Sequence, residues 1–248
     1  MCAKRSCSNF ADSMIKNPRK KKIIMSNSAG LFSSSLGRKY LMAVTGLFLC
    51  SFLLIHLIGN VTLFTDPVQF NEYTRFMSSN PLIRIMEIVL VVGFLTHIID
   101  AVKLTKANKA AQPVKYAMDK KKSTWYSRNM GLTGTIILAF LILHLQSFWY
   151  GYKFGDVAMT LDSSGAAIKD MYTMVVAAFS QLWYSAIYVV AMILLGTHLN
   201  HGFQSAFQSM GLRHKKYTPA IKKAGTAFAV IITLGFISFP IYFYIIQL

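Results

Sequence analysis

Tyr40–Phe64 reads YLMAVTGLFLCSFLLIHLIGNVTLF, 25 residues without a charge and with one histidine, His56. About 20 consecutive apolar residues are enough to cross the hydrocarbon core of a bilayer as a helix. Three further uncharged runs follow, Met130–Tyr152, Met171–Leu212 and Ala224–Leu248. A fifth, Leu82–Val102, carries Arg84, Glu87 and Asp100 but is otherwise apolar. The expected fold is all-α: an integral membrane bundle of five transmembrane helices over about 40–64, 82–104, 129–152, 171–200 and 224–247. The second half of Met171–Leu212 (His198, Asn200, His201, Gln204, Gln208) is too polar for lipid. It is read as the fourth span leaving the membrane and running on as an amphipathic helix to about residue 211.

Composition agrees. The 248 residues are 54% hydrophobic and only 14% charged, with a mean hydropathy of +0.44, where a soluble domain carries roughly a quarter charged residues. A net charge of +17 raises nucleic acid as a partner, but the placement of the charge argues for a membrane instead. Nine Lys and Arg precede the first span, eight lie between spans two and three, and five lie between spans four and five. The opposite side has only Arg75, Arg84, Lys153 and Lys169. By the positive-inside rule the topology is N-in, C-out, in the inner (cytoplasmic) membrane of the cell. Residues 1–35 read as a basic, disordered cytoplasmic tail, with Met25 as a possible alternative start, and 36–248 as the membrane domain. Cys2, Cys7 and Cys50 have no metal-site spacing and cannot form a disulfide framework.

The first four spans each carry one histidine near their ends: His56, His97, His144 and His198. Spans one and three run outward, so His56 and His144 lie in the outer half. Spans two and four run inward, so His97 and His198 lie in the inner half. Singly, each is open to another reading, a polar residue hydrogen-bonded to a neighbouring helix. As two pairs at two depths they suit two haems, each held between an imidazole from each of two facing helices. Gly46 and Gly134 each lie ten residues before the histidine of their span, about 15 Å along the helix and so level with the other pair. Gly59, Gly93 and Gly202 lie within one turn of a histidine and leave room for a macrocycle, or for ordinary helix packing. His201, one turn after His198, is a candidate for a propionate or a cytoplasmic partner.

Gly37-Arg38-Lys39 entering span one, Thr45-Gly46-Leu47-Phe48-Leu49 with His56 eleven after the threonine, Asn80-Pro81-Leu82 opening span two, and the His198-x-x-x-Gly202 of span four together carry a resemblance. Over about residues 31–248 the chain resembles the single-subunit, five-helix, two-haem cytochrome b anchor of succinate dehydrogenases and fumarate reductases, the succinate:quinone oxidoreductases. The resemblance implies haem b at a proximal site (His97/His198) and a distal site (His56/His144). It also implies a flavoprotein and an iron–sulfur subunit on the cytoplasmic face, and a membrane quinone, menaquinone, as the electron partner. It favours His198 over His201 as ligand. Met42-Ala43 stands where some relatives carry a polar pair for a propionate. That leaves Arg38, Lys39, Trp125, Tyr126, Arg128 and His201 as local candidates for propionate contacts.

A quinone site must exchange protons as well as electrons. Glu87, about two turns into span two, is the first candidate for that step, with an ion pair to Arg84 as the alternative reading. Glu72, in the outer loop, is the second, with a solvated loop residue as the alternative. Asp100 reads as an inner-interface residue near Lys103. Competing functions are a di-iron desaturase, which needs more clustered histidines than His198/His201, and a transporter, which predicts inverted repeats that the chain lacks. The cytochrome b subunit of a hydrogenase or nitrate reductase remains a nearer alternative.

Overall fold

The computed structural model describes residues 34–110 and 129–246. It is a helical bundle with five helices long and apolar enough to cross a membrane: Leu36–Phe64, Pro81–Ala110, Met130–Phe154, Leu182–Ser209 and Thr218–Ile245. The expected all-α membrane fold is what the chain adopts, and it is a multi-pass architecture suited to a lipid bilayer.

The first three helices begin where the local sequence supplies a cap. Helix α1 (Ser35–Val61) starts at Ser34, whose hydroxyl accepts from the Gly37 amide at 3.0 Å, and ends in a 3-10 turn, Thr62–Phe64. Helix α2 (Pro67–Ser79) starts at Asp66, which accepts from the Gln69 amide, with Pro67 in its first turn. Helix α3 (Pro81–Ala110) follows Asn80, whose side-chain oxygen accepts from the Leu82 amide at 2.9 Å. A side-chain acceptor supplies a partner that the first-turn amides otherwise lack, and proline loses nothing there because its missing N–H would be unpaired anyway. Helix α4 (Met130–His144) passes into a π-helical turn, Leu145–Tyr150, and a last α-turn, α5 (Gly151–Phe154). A two-stranded antiparallel hairpin, β1 (Met159–Leu161) and β2 (Ala167–Lys169), is followed by α6 (Met171–Phe179), α7 (Leu182–Ser209) and α8 (Thr218–Ile245).

The fourth span differs from its expected bounds. The run from Met171 is two helices, because α6 stops at Ser180 and Gln181 is extended (ψ 115°) before α7 begins at Leu182. The Ser185 hydroxyl donates to the Phe179 carbonyl at 2.6 Å and stitches the break. Helix α6 is apolar because Val175 and Phe179 enter the core, where they pack with α2 and α8 across the end of the bundle. The polar continuation is helical as expected, but it ends at Ser209.

Helix α7 is the hub, touching α1, α4 and α8, while α3 packs chiefly on α1. The outer face of α3 (Leu82, Ile85, Ile88, Val91, Val92, Leu95) is exposed. An apolar face of this kind is stable only against lipid or another apolar surface. Helix α2, the hairpin and α6 form a small cap over one end of the bundle, the end where α1 finishes and α3 begins. Asn71, 1% exposed, ties it together by donating to Asp170 and accepting from the Tyr172 amide, both at 2.9 Å. Asp162, in the hairpin turn, accepts from the Ser164 and Ala166 amides and pairs with Arg75 at 2.7 Å. Gly165 takes the positive φ (83°) that closes this turn.

Candidate functional site

Helices α1 and α4 bring the rings of His56 and His144 together, edge to face. Their ring centroids are 5.9 Å apart and their planes stand at 87°. Two imidazoles on opposite sides of one metal, each with a bond of about 2 Å, put their ring centres about 6 Å apart. The separation of this pair matches that figure, and it is also the separation of an ordinary edge contact between rings. Phe52 stacks on His56 (5.3 Å, 16°) and Phe140 on His144 (5.8 Å, 30°), while Phe236 and Phe148 complete an apolar wall.

The ring nitrogens are not equivalent. His144 Nδ1 lies 3.1 Å from the Tyr188 hydroxyl, and His56 Nδ1 lies 3.5 Å from Asn60 Nδ2. On α3, His97 Nδ1 meets the Thr45 hydroxyl at 3.2 Å. Thr45 Oγ1 also lies 2.8 Å from the Leu41 carbonyl, and when its proton goes there the hydroxyl accepts from His97. In that tautomer the proton is on Nδ1 and the Nε2 lone pair of His97 is free for a metal, the arrangement of metal-ligating histidines with an outer partner. His198 differs: its Nδ1 is buried with no hydrogen-bond partner among the described residues. Nothing fixes its tautomer, so this ring can present either nitrogen.

The second pair sits against glycines of the facing helices. A Cβ at Gly46 would lie 3.4 Å from His97 Cε1, and one at Gly134 3.6 Å from His198 Cε1. Each glycine is ten residues before the histidine of its own helix, so two levels separated by about 15 Å run through the bundle. The other glycines serve side chains. Gly59 is covered by the Tyr73 ring of α2, Gly93 by Phe48 and Gly202 by Met130, so the expected room for a macrocycle at these three is taken by packing.

Of the polar candidates, Glu87 is held by three donors. Arg84 pairs with one carboxylate oxygen at 2.6 Å, Lys153 with the other at 2.5 Å, and the Trp149 indole also donates to it. The geometry is that of an ion pair, extended from Arg84 to a second cation on the far end of span three. Glu72 is not in a loop but on α2, where it accepts from the amide and hydroxyl of Ser163 (2.8 and 2.5 Å) and caps the hairpin turn. Those two hydrogen bonds hold its carboxyl below the usual range. Asp100 is buried, and its Oδ2 has no partner among the described residues. Arg38 is half-buried and Lys39 exposed in the first turn of α1, and His201 is half-buried on α7. Trp125, Tyr126 and Arg128 lie outside the described residues.

Among the described residues no three His, Cys, Asp or Glu side chains cluster to hold a metal ion by themselves. A di-iron centre needs such a cluster, whereas an axial pair on a porphyrin does not. Asn60 and Tyr188 were not singled out from sequence, and Thr45, Lys153 and Trp149 were not read there as partners of a site residue. Only Asn60, one turn after His56, carried a local signal. Fold and site together define a five-helix membrane bundle with two levels of inward-facing histidines. Comparison with protein-family models, curated proteins and solved structures finds no match to the chain.

Proposed function

We propose that the chain is the membrane-anchoring, two-haem cytochrome b subunit of a succinate:quinone oxidoreductase, with haem b at His56/His144 and at His97/His198. The observation that carries this reading is the His56–His144 pair, 5.9 Å apart between facing helices. The haem would supply reversible one-electron transfer by an iron with no open position, which suits conduction and not oxygen chemistry.

The chain's own residues do the rest. The four histidines would present neutral imidazole nitrogens to the metal. Thr45 and Tyr188 engage Nδ1 of His97 and His144, so Nε2 of each ring is the nitrogen that would take a metal. Phe52, Phe140 and Phe236 exclude water. Placing the basic loops inside puts His97/His198 on the cytoplasmic side and the α2–hairpin–α6 cap outside. An iron–sulfur subunit and a flavoprotein carrying the dicarboxylate site would dock on the basic cytoplasmic face. Electrons would pass between them and a membrane quinone, menaquinone by resemblance, through the inner and then the outer pair.

The test is purification of the complex from its native membrane. Two b haems per chain and co-purifying flavin and iron–sulfur subunits are expected. A colourless preparation, or companions of a hydrogenase or nitrate reductase, overturns the proposal.

A further inference from the structure

Among the described residues, only one of the four imidazoles is backed by a chain of hydroxyls. The Tyr188 oxygen lies 3.1 Å from His144 Nδ1 and 3.1 Å from the Tyr184 oxygen. Both tyrosines are 6% exposed and stand one turn apart on α7, with ring centroids 4.9 Å apart. Phe140, Phe148 and Phe179 pack on the Tyr188 ring. The π-helical turn of span three begins at Leu145, immediately after His144. Such a turn is costly, and it tends to survive where it aims a side chain. The opposing His56 has a different neighbour, an amide nitrogen at 3.5 Å that already donates to the His56 carbonyl at 2.7 Å. The outer pair is therefore asymmetric.

We infer that Tyr188 is the positioning residue for His144: it accepts the Nδ1 proton, fixes the ring and sets the electron affinity of the outer site, with Tyr184 supporting it. This rests on the two-haem reading. A metal on Nε2 leaves the imidazole proton on Nδ1, so His144 must donate and Tyr188 must accept. The Tyr188 proton is then free to go to Tyr184. The reverse order, Tyr188 donating to Nδ1, would put the ring proton on Nε2 and close that nitrogen to a metal. A hydrogen bond accepted from Nδ1–H makes the imidazole a stronger electron donor, which favours oxidised iron and lowers the midpoint potential. The Tyr188–Tyr184 bond strengthens Tyr188 as an acceptor, since bonds in a chain polarise one another.

The experiment is a redox titration of the purified complex, followed by optical spectra, for the unsubstituted chain, Tyr188→Phe and Tyr184→Phe. Tyr188→Phe is expected to keep both haems and to raise one midpoint while the other stays where it was. Tyr184→Phe is expected to raise the same midpoint by less. Two unmoved midpoints in Tyr188→Phe, a downward shift, or an equal shift of both haems overturns the inference and leaves the two-haem reading standing. If Tyr188→Phe empties the outer site, Tyr184→Phe reads the same coupling, and no upward shift there overturns it. Absence of haem from the unsubstituted complex overturns the underlying reading, and this inference with it.

Discussion

The imidazole planes of His56 and His144 stand at 87° to each other, their centroids 5.9 Å apart. Perpendicular axial imidazoles push electron density into different iron orbitals and leave those orbitals nearly equal in energy. The oxidised outer haem should then give a highly anisotropic low-spin electron paramagnetic resonance signal. Substituting either histidine with alanine should abolish that signal and reduce the haem content from two to one. A signal typical of parallel imidazoles would contradict the geometry.

Thr45 acts on the other level. With a metal on Nε2 its hydroxyl is the acceptor at His97 Nδ1, and Thr45→Val leaves that N–H without a partner. The cost is about 1–3 kcal/mol, which is about five- to 140-fold in retention of the inner haem, since each 1.4 kcal/mol is roughly tenfold. Thr45→Ser keeps the oxygen and should bind as the unsubstituted chain does. Haem loss in dilute detergent is the measurement. Equal retention by the valine and serine variants would show that the hydroxyl is not needed.

Spans and histidines were legible because both are local signals: Tyr40–Phe64 declares itself by hydropathy, and His56 by being the one histidine within it. What surrounds the histidines was not. Thr45 is 52 residues from His97, and Tyr188 is 44 from His144, so only packing brings these hydroxyls to the rings. The break at Ser180–Gln181 was hidden for a different reason. Hydropathy averages over a window, and a helix that caps the core is as apolar as one that meets lipid. Glu87 was readable as far as Arg84, one turn away, while Lys153 lies on another span.

The cap should weaken in acid. The hydroxyl of Ser164, the amides of Ala166 and Ser164, and Arg75 hold the Asp162 carboxyl down from its ordinary 3.8 to about 2. A folded value below the unfolded one means that the contribution is complete above about pH 4 and is lost as pH falls towards 2. Hydrogen exchange at the Ser164 and Ala166 amides should quicken over that window. In Asp162→Asn, exchange should be faster at neutral pH and its dependence across the window reduced. An unchanged pH profile in the variant would show that another group controls the turn.

Glu87 joins the cap-side ends of spans two and three through Arg84, Lys153 and Trp149. A pair of this partly exposed kind contributes on the order of 1 kcal/mol. Glu87→Gln keeps an acceptor for the indole but gives up the charge, so a modest fall in thermal stability with both haems retained is expected. Quinone turnover should be unaffected if the carboxylate is a clamp. Lost turnover with intact haems and unchanged stability would instead restore Glu87 as the proton carrier.

Gly46 and Gly134 offer a test of the inner level that leaves the histidines untouched. A Cβ at Gly46 already meets His97 Cε1 at 3.4 Å, the edge of tolerable contact, and the further carbons of Gly46→Leu must displace the ring. A helix cannot retreat to make room without losing its packing, because close-packed interiors absorb added volume poorly. Gly46→Leu should therefore cost the inner haem and spare the outer, about 15 Å along the same helix. Gly134→Leu should do the same through His198. Val44→Leu, at an exposed position two residues away, serves as the control and should retain both haems. Two haems bound in both glycine variants would mean that these residues do not face the inner site in the assembled protein.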